Sequence, residues 1–257
     1  MIILLGGDSW VDRSSFFATY DLLNSIDIVS RIGNVQIVDL DSKDGYKLLK
    51  DSLKVAKLLT ICGGKPIALM NALGKNGKTV IRHWLAAAPE QHLFLGICAG
   101  VAAAAALGFS QIKLFNDESW RLCGISMDVV VEFSSAESYQ FCYESGPLMI
   151  LQPTGNPVVM GRYATDVVYE QSQKVKSIPC ERDQWVCYCC TFINPMNQGK
   201  CGFCSESKNY QLPPKNEMVG KFAVLLFPQY FLCSVHPELS GNEAKEFFRS
   251  LFTRFCT

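Results

Sequence analysis

Three times in the first hundred residues a short, almost wholly apolar run stops abruptly at glycine or another small residue. Ile2–Leu5 ends at Gly6-Gly7, Leu58–Cys62 at Gly63-Gly64, and Leu93–Ile97 at Cys98-Ala99-Gly100. An apolar run of this length with no polar alternation is a strand covered on both faces. Val35–Leu40 is a fourth candidate strand. Amphipathic stretches lie between them, such as Val80–Ala88, where Val80, Ile81, Trp84 and Leu85 share one helical face. Buried strands alternating with helices predict an α/β fold, a flavodoxin-like, mostly parallel sheet with helices on both faces. Such sheets bind ligands at the carboxyl ends of their strands, so the glycine-rich strand ends are the first place to look for chemistry.

The rest of the chain is organised differently. Beyond about residue 110 the pattern becomes antiparallel-like and is punctuated by glycine and proline. Residues 171–184 are polar and read as a linker, as do residues 206–217 with Pro213-Pro214. Phe222–Phe227 and Tyr230–Val235 read as two strands turning at Pro228-Gln229, and Asn242–Phe255 as a closing helix. The expected organisation is one α/β domain made of residues 1–178 and 218–257, with a small module at 183–206 inserted into it.

Composition narrows the classes. The chain has 257 residues, 49% hydrophobic and 19% charged, which indicates a packed globular protein rather than a disordered one. Lysine plus arginine and aspartate plus glutamate number 24 each, so no net charge draws the chain to nucleic acid. No apolar run is long enough to cross a bilayer. Met1–Leu5 lacks a basic flank and is too short for a secretory signal. Of the twelve cysteines, five fall within residues 187–204 and the others are scattered through apolar stretches. This distribution predicts a reducing compartment, cytoplasmic or nuclear, rather than a disulfide framework.

Gly96-Ile97-Cys98-Ala99-Gly100 places a cysteine between two glycines, where an apolar strand meets an alanine-rich helix. Such a turn holds a nucleophile exposed and strained, and the helix N-terminus favours negative charge on its sulfur. The Ala99 N–H would face a developing oxyanion, and Gly63-Gly64 on the neighbouring strand end would supply a second N–H, from Gly64. The bland alternative is a buried cysteine in a glycine-rich turn. Ser234-Val235-His236-Pro237-Glu238 follows a late strand and offers a base with a carboxylate two residues on to orient it. The other histidines are expected to be surface residues, since His83 sits in an amphipathic helix and His92 precedes a strand. On its own, His236-Pro237-Glu238 also suits a plain polar loop.

Together the Gly-x-Cys-x-Gly turn and the late His-Pro-Glu, in this order, resemble class I glutamine amidotransferase-like domains. The pattern is similar above all to the domain at the N-terminus of eukaryotic biotin-protein ligases, which shows Pro-Gly-Gly after a strand, then Gly-x-Cys-Ala-Gly, then His-Pro-Glu. Here these positions are Cys62-Gly63-Gly64, Gly96–Gly100 and His236-Pro237-Glu238. The resemblance implies a catalytic set of Cys98, His236 and Glu238. Glutamine-using members follow the turn with a glutamine, whereas this chain continues Val101-Ala102-Ala103-Ala104, which points away from free glutamine as substrate.

The inserted module has its own chemistry. Cys187-x-x-Cys190 and Cys201-x-x-Cys204 are two knuckles that supply four thiolates, a donor set suited to one structural, tetrahedral zinc ion. Cys189 is surplus to this spacing. A module this small needs the metal to fold. With Trp185 ahead of the first knuckle and Asn194 after it, the segment resembles the RanBP2-type zinc finger. In that family the ubiquitin-binding branch carries Thr-Phe after the second cysteine and an apolar residue before the last. Here these are Thr191, Phe192 and Phe203. The RNA-binding branch uses arginines between the knuckles, and Pro195–Lys200 contains none. The resemblance therefore implies ubiquitin or a ubiquitylated protein as partner; the alternative is that the two phenylalanines only pack the finger. Two functional expectations stand side by side: a thiol-dependent amide or ester hydrolase or transferase recruited by its finger, and a non-catalytic adaptor that binds through the finger.

Overall fold

The computed structural model describes residues 1–108, 112–114, 126–144, 151–153, 156–164, 183–186, 193–200, 220 and 222–256. Strands β1 (Ile2–Gly6), β2 (Val35–Asp39), β3 (Leu58–Ile61) and β4 (Leu93–Ile97) fall on the four apolar runs. The helices between them are α1 (Arg13–Leu23), α2 (Ile26–Ile32), α3 (Gly45–Leu53) and α4 (Pro66–Ala87), and α5 (Ala99–Ala106) follows β4. Every residue of β1 and β3 is buried, so covering by helices on both faces is what keeps these strands out of water. The amphipathic stretch at Val80–Ala88 is the second half of α4, which bends at Gly74, a left-handed residue with φ 57°.

The later strands are β5 (Ile112–Leu114), β6 (Ser126–Phe133), β7 (Ser138–Glu144), β8 (Leu151–Pro153), β9 (Val159–Tyr163), β10 (Gln184–Val186), β11 (Ile193–Pro195), β12 (Phe222–Leu226) and β13 (Tyr230–Cys233), and the last helix is α6 (Asn242–Phe255). The main sheet runs β2-β1-β3-β4-β13-β12-β9-β6-β7, with β5 and β8 paired beside β12. From β2 to β13 all neighbours are parallel. That is the flavodoxin-like order, with the chain reversing direction between β1 and β3. Right-handed crossovers then put α1 on one face and α3 to α5 on the other, and α3, α4 and α5 do pack side by side. Beyond β13 the pairing becomes antiparallel, as the punctuation after residue 110 suggested.

Helix α6 joins the two halves of the sheet. Its apolar residues recur at helical spacing, and Phe248, Phe252 and Phe255 gather around Phe231 of β13, the first with ring centroids 4.8 Å apart. Phe247 points to the antiparallel side, 4.6 Å from Phe133 and 4.1 Å from Tyr139. A separate two-stranded sheet pairs β10 with β11. Among the described residues no helix is long and apolar enough to cross a membrane.

Candidate active site

The strand ends at the carboxyl edge of the parallel half converge. Cys98 lies in the turn from β4 to α5 with φ 49° and ψ −104°, a backbone region that side-chain-bearing residues rarely enter. Among the described residues only Ala136, in the β6–β7 turn, is another non-glycine with positive φ. Such strain costs on the order of 1–3 kcal/mol and persists only where neighbours enforce it. They do so here by close approach. A Cβ on Gly100 would lie 2.1 Å from the Ile61 carbonyl oxygen, and one on Gly96 would lie 2.8 Å from Gly100. The Cys98 N–H donates to Cys233 O at 2.8 Å, tying the turn to β13.

His236 follows β13, which stops at Cys233 rather than continuing to Val235 as its apolar pattern implied. The chain leaves β13 because the His236 N–H bonds to Cys142 O of β7 at 2.7 Å. Ser240 clamps the same place, donating from Oγ to His236 O at 2.6 Å and accepting the Cys142 N–H at 2.9 Å. On the side chain, Nδ1 is 2.8 Å from Glu238 Oε1, and the ring interacts electrostatically with Cys98. His236 and Glu238 are 1% and 2% exposed and Cys98 is 6% exposed, so these groups interact with little water between them. Burial works against a charged imidazole. The Glu238 carboxylate and Cys98 outweigh it, and the His236 pKa stands well above its ordinary value.

The sequence reading missed Ser15, in the first turn of α1. Its Oγ is 2.6 Å from Glu238 Oε1 and accepts the Gly63 N–H at 3.0 Å. The only local sequence signal is the cap that starts α1, where Asp12 Oδ1 accepts the Ser15 N–H at 2.9 Å. Gly63 fits between these groups because a Cβ there would lie 2.6 Å from His236 Cε1. Gly64 is the other expected donor. The short bridge between Val11 and Gly64 is made by Asp12 N to Gly63 O and Lys65 N to Trp10 O, which leaves the Gly64 N–H outside it. The Ala99 N–H opens α5, where the first N–H groups have no partner within the helix.

No family model matches the sequence, and no curated protein sequence matches it. One solved structure with a similar chain path is a glutamine amidotransferase. It is 11% identical, with a TM-score of 0.48 over 98% of both chains. The fold assignment rests on the strand order itself.

The other thiols near the site are held neutral. Burial, and then the Glu238 charge, push Cys62 and Cys233 well above the ordinary thiol value. His83 is exposed on α4, as expected, whereas His92 is half-buried and stacks on Trp84 at 4.4 Å. A cavity of about 360 Å³ lined by Arg82, Leu107 and Tyr230 lies at the start of β13, the end of the strand away from His236.

The proposed zinc ligands Cys187, Cys190, Cys201 and Cys204, with Thr191, Phe192 and Phe203, lie outside the described residues. Among the described residues no cluster of His, Cys, Asp or Glu could hold a metal. Val186 pairs with Ile193, so β10 and β11 close on the stretch that carries the first two cysteines. Buried Trp185 donates from Nε1 to Gln198 O at 3.0 Å, tying the hairpin to the turn after it.

Proposed function

We propose that the chain is a thiol-dependent amide or ester hydrolase or transferase, with a zinc finger that recruits ubiquitin or a ubiquitylated protein. The observation that carries the catalytic half is the strained Cys98, in electrostatic contact with a buried His236 whose Nδ1 is held by Glu238. The proton of Cys98 is held by His236 as the imidazolium, and the thiolate that remains attacks the substrate carbonyl carbon. The carbonyl oxygen, now negative, is met by the N–H groups of Ala99 and Gly64. His236 returns the proton to the leaving amine or alcohol as the carbon–heteroatom bond breaks, and a thioester on Cys98 remains. Water or an acceptor amine, deprotonated by His236, attacks the thioester and frees the thiol. Glu238 keeps the ring in place throughout. In the finger, Cys187, Cys190, Cys201 and Cys204 would hold zinc, which supplies the folding free energy of the module and takes no part in the reaction.

A second reading, a non-catalytic adaptor, is favoured by the burial of Cys98. Labelling the folded chain with ubiquitin-derived and glutamine-derived electrophiles separates the two. The enzyme reading expects the ubiquitin-derived probe to attach at Cys98 and the glutamine-derived probe to attach poorly. If neither reacts with Cys98 while a small alkylating agent does, the adaptor reading stands.

A further inference from the structure

We infer that Ser15 is a positioning residue of this site, acting through Glu238 to keep the His236 ring charged against Cys98. The inference rests on the thiol-dependent reading above and extends it to a fourth side chain. Glu238 is 2% exposed, and its Oε2 has no hydrogen-bond partner among the described residues. A buried carboxylate in that position is held ionised only by the donors it has. Both meet at one oxygen, His236 Nδ1 at 2.8 Å and Ser15 Oγ at 2.6 Å from Oε1.

The direction of the Ser15 bond is fixed. A carboxylate only accepts, so the Ser15 proton points to Glu238 while the Ser15 oxygen accepts the Gly63 N–H at 3.0 Å. Two donors aimed at one carboxylate oxygen make charge-assisted bonds, stronger than the same bonds to a neutral acid, so the arrangement favours the anion. The anion in turn favours the imidazolium. The backbone of β3 thus sets Ser15, Ser15 sets Glu238, and Glu238 sets His236. The other titratable groups facing this set are Cys98, Cys62 and Cys233 at the strand ends, Cys142 of β7 whose carbonyl binds the His236 N–H, and Asp12 at the start of α1.

The test is the rate of Cys98 carboxamidomethylation by iodoacetamide on the full zinc-loaded chain, resolved by peptide mass spectrometry from about pH 5 to about pH 10. Ser15→Ala is expected to raise the acid-side midpoint of the profile by roughly half to one pH unit. The rate near pH 6 should then fall about three- to tenfold, with the alkaline plateau unchanged. In a Glu238→Gln background, Ser15→Ala is expected to add nothing, because the effect passes through that carboxylate. Ser15→Thr, which keeps the hydroxyl, restores the wild-type midpoint. Should Ser15→Ala fail to fold, Ser15→Cys keeps the volume, weakens the donor and reads the same shift. The inference is overturned if the midpoint does not move, or moves equally in both backgrounds. His236→Ala separates the layers. If it leaves the profile unchanged, the thiol-dependent reading and the role of Ser15 fall together. If it slows labelling while Ser15→Ala is silent, only Ser15 loses its role.

Discussion

Five cysteines with free thiols are described, and their surroundings set them apart. Cys98 faces a histidine whose pKa is raised, while Cys62 and Cys233 are buried and kept neutral by low polarity and the Glu238 charge. Burial also pushes the Cys256 thiol up to about 12. Cys98 is therefore expected to alkylate fastest of these thiols at neutral pH, read by site-resolved mass spectrometry. His236→Ala should slow it about thirtyfold, since only about one in thirty ordinary cysteines is thiolate at that pH. Glu238→Gln should slow it less, about tenfold, because the ring remains. Equal rates for Cys98 and Cys62 would leave the adaptor reading. The same histidine makes stability depend on pH. Its folded pKa is raised, so between about pH 6.5 and that raised value the folded chain holds a proton that the unfolded chain has lost. Its contribution is complete below about pH 6.5 and disappears as pH rises through the folded value. Urea unfolding across this window should show the wild type losing stability with rising pH, and His236→Ala losing less.

At the level of elements, the site depends on how closely α5 approaches β3. Gly100→Ala would put a methyl group on the Ile61 carbonyl, so it is expected to destabilise by about 3 kcal/mol. A Cβ on Gly199 meets nothing within 4 Å, so Gly199→Ala should leave the unfolding midpoint in place. The strands that carry the site were legible in the sequence because burial on both faces leaves a nearly unbroken apolar signature, as in Ile2–Leu5 and, but for Thr60, Leu58–Ile61. The elbow was legible because two glycines must flank Cys98 for strand and helix to touch. Ser15 was not, since its partner Glu238 lies 223 residues along the chain and a serine in a first helical turn is ordinary capping chemistry. The early end of β13 was hidden for a similar reason. Ser234 and Val235 are as buried as a strand residue, but the His236 N–H is taken by β7. The role of Phe247 in bridging the two halves of the sheet could not be read either, because α6 carries one apolar stripe and only the sheet order tells which strands it covers.

For the whole molecule, the question is whether the proposed finger and the α/β domain act on one another. The β10–β11 pair forms its own sheet, with no ladder to the eleven-stranded one. If the metal supplies the folding free energy of that small module, removing it should melt the module and spare the site. Metal analysis is expected to return about one zinc per chain, lost in Cys187→Ser and largely kept in Cys189→Ser. Chelation should abolish ubiquitin binding while the rate of Cys98 alkylation stays the same. Ubiquitin is expected to bind weakly, with Kd in the roughly micromolar to millimolar range, since one threonine and two phenylalanines bury little area. Titration of isotope-labelled ubiquitin followed by nuclear magnetic resonance measures this. Thr191→Ala with Phe192→Ala should remove the shifts without releasing zinc, because neither residue is a ligand. Shifts that survive the double substitution would move the contact elsewhere on the chain. If instead chelation slows Cys98 as much as His236→Ala does, the two sheets communicate, and the finger is part of the active site rather than a recruiting arm.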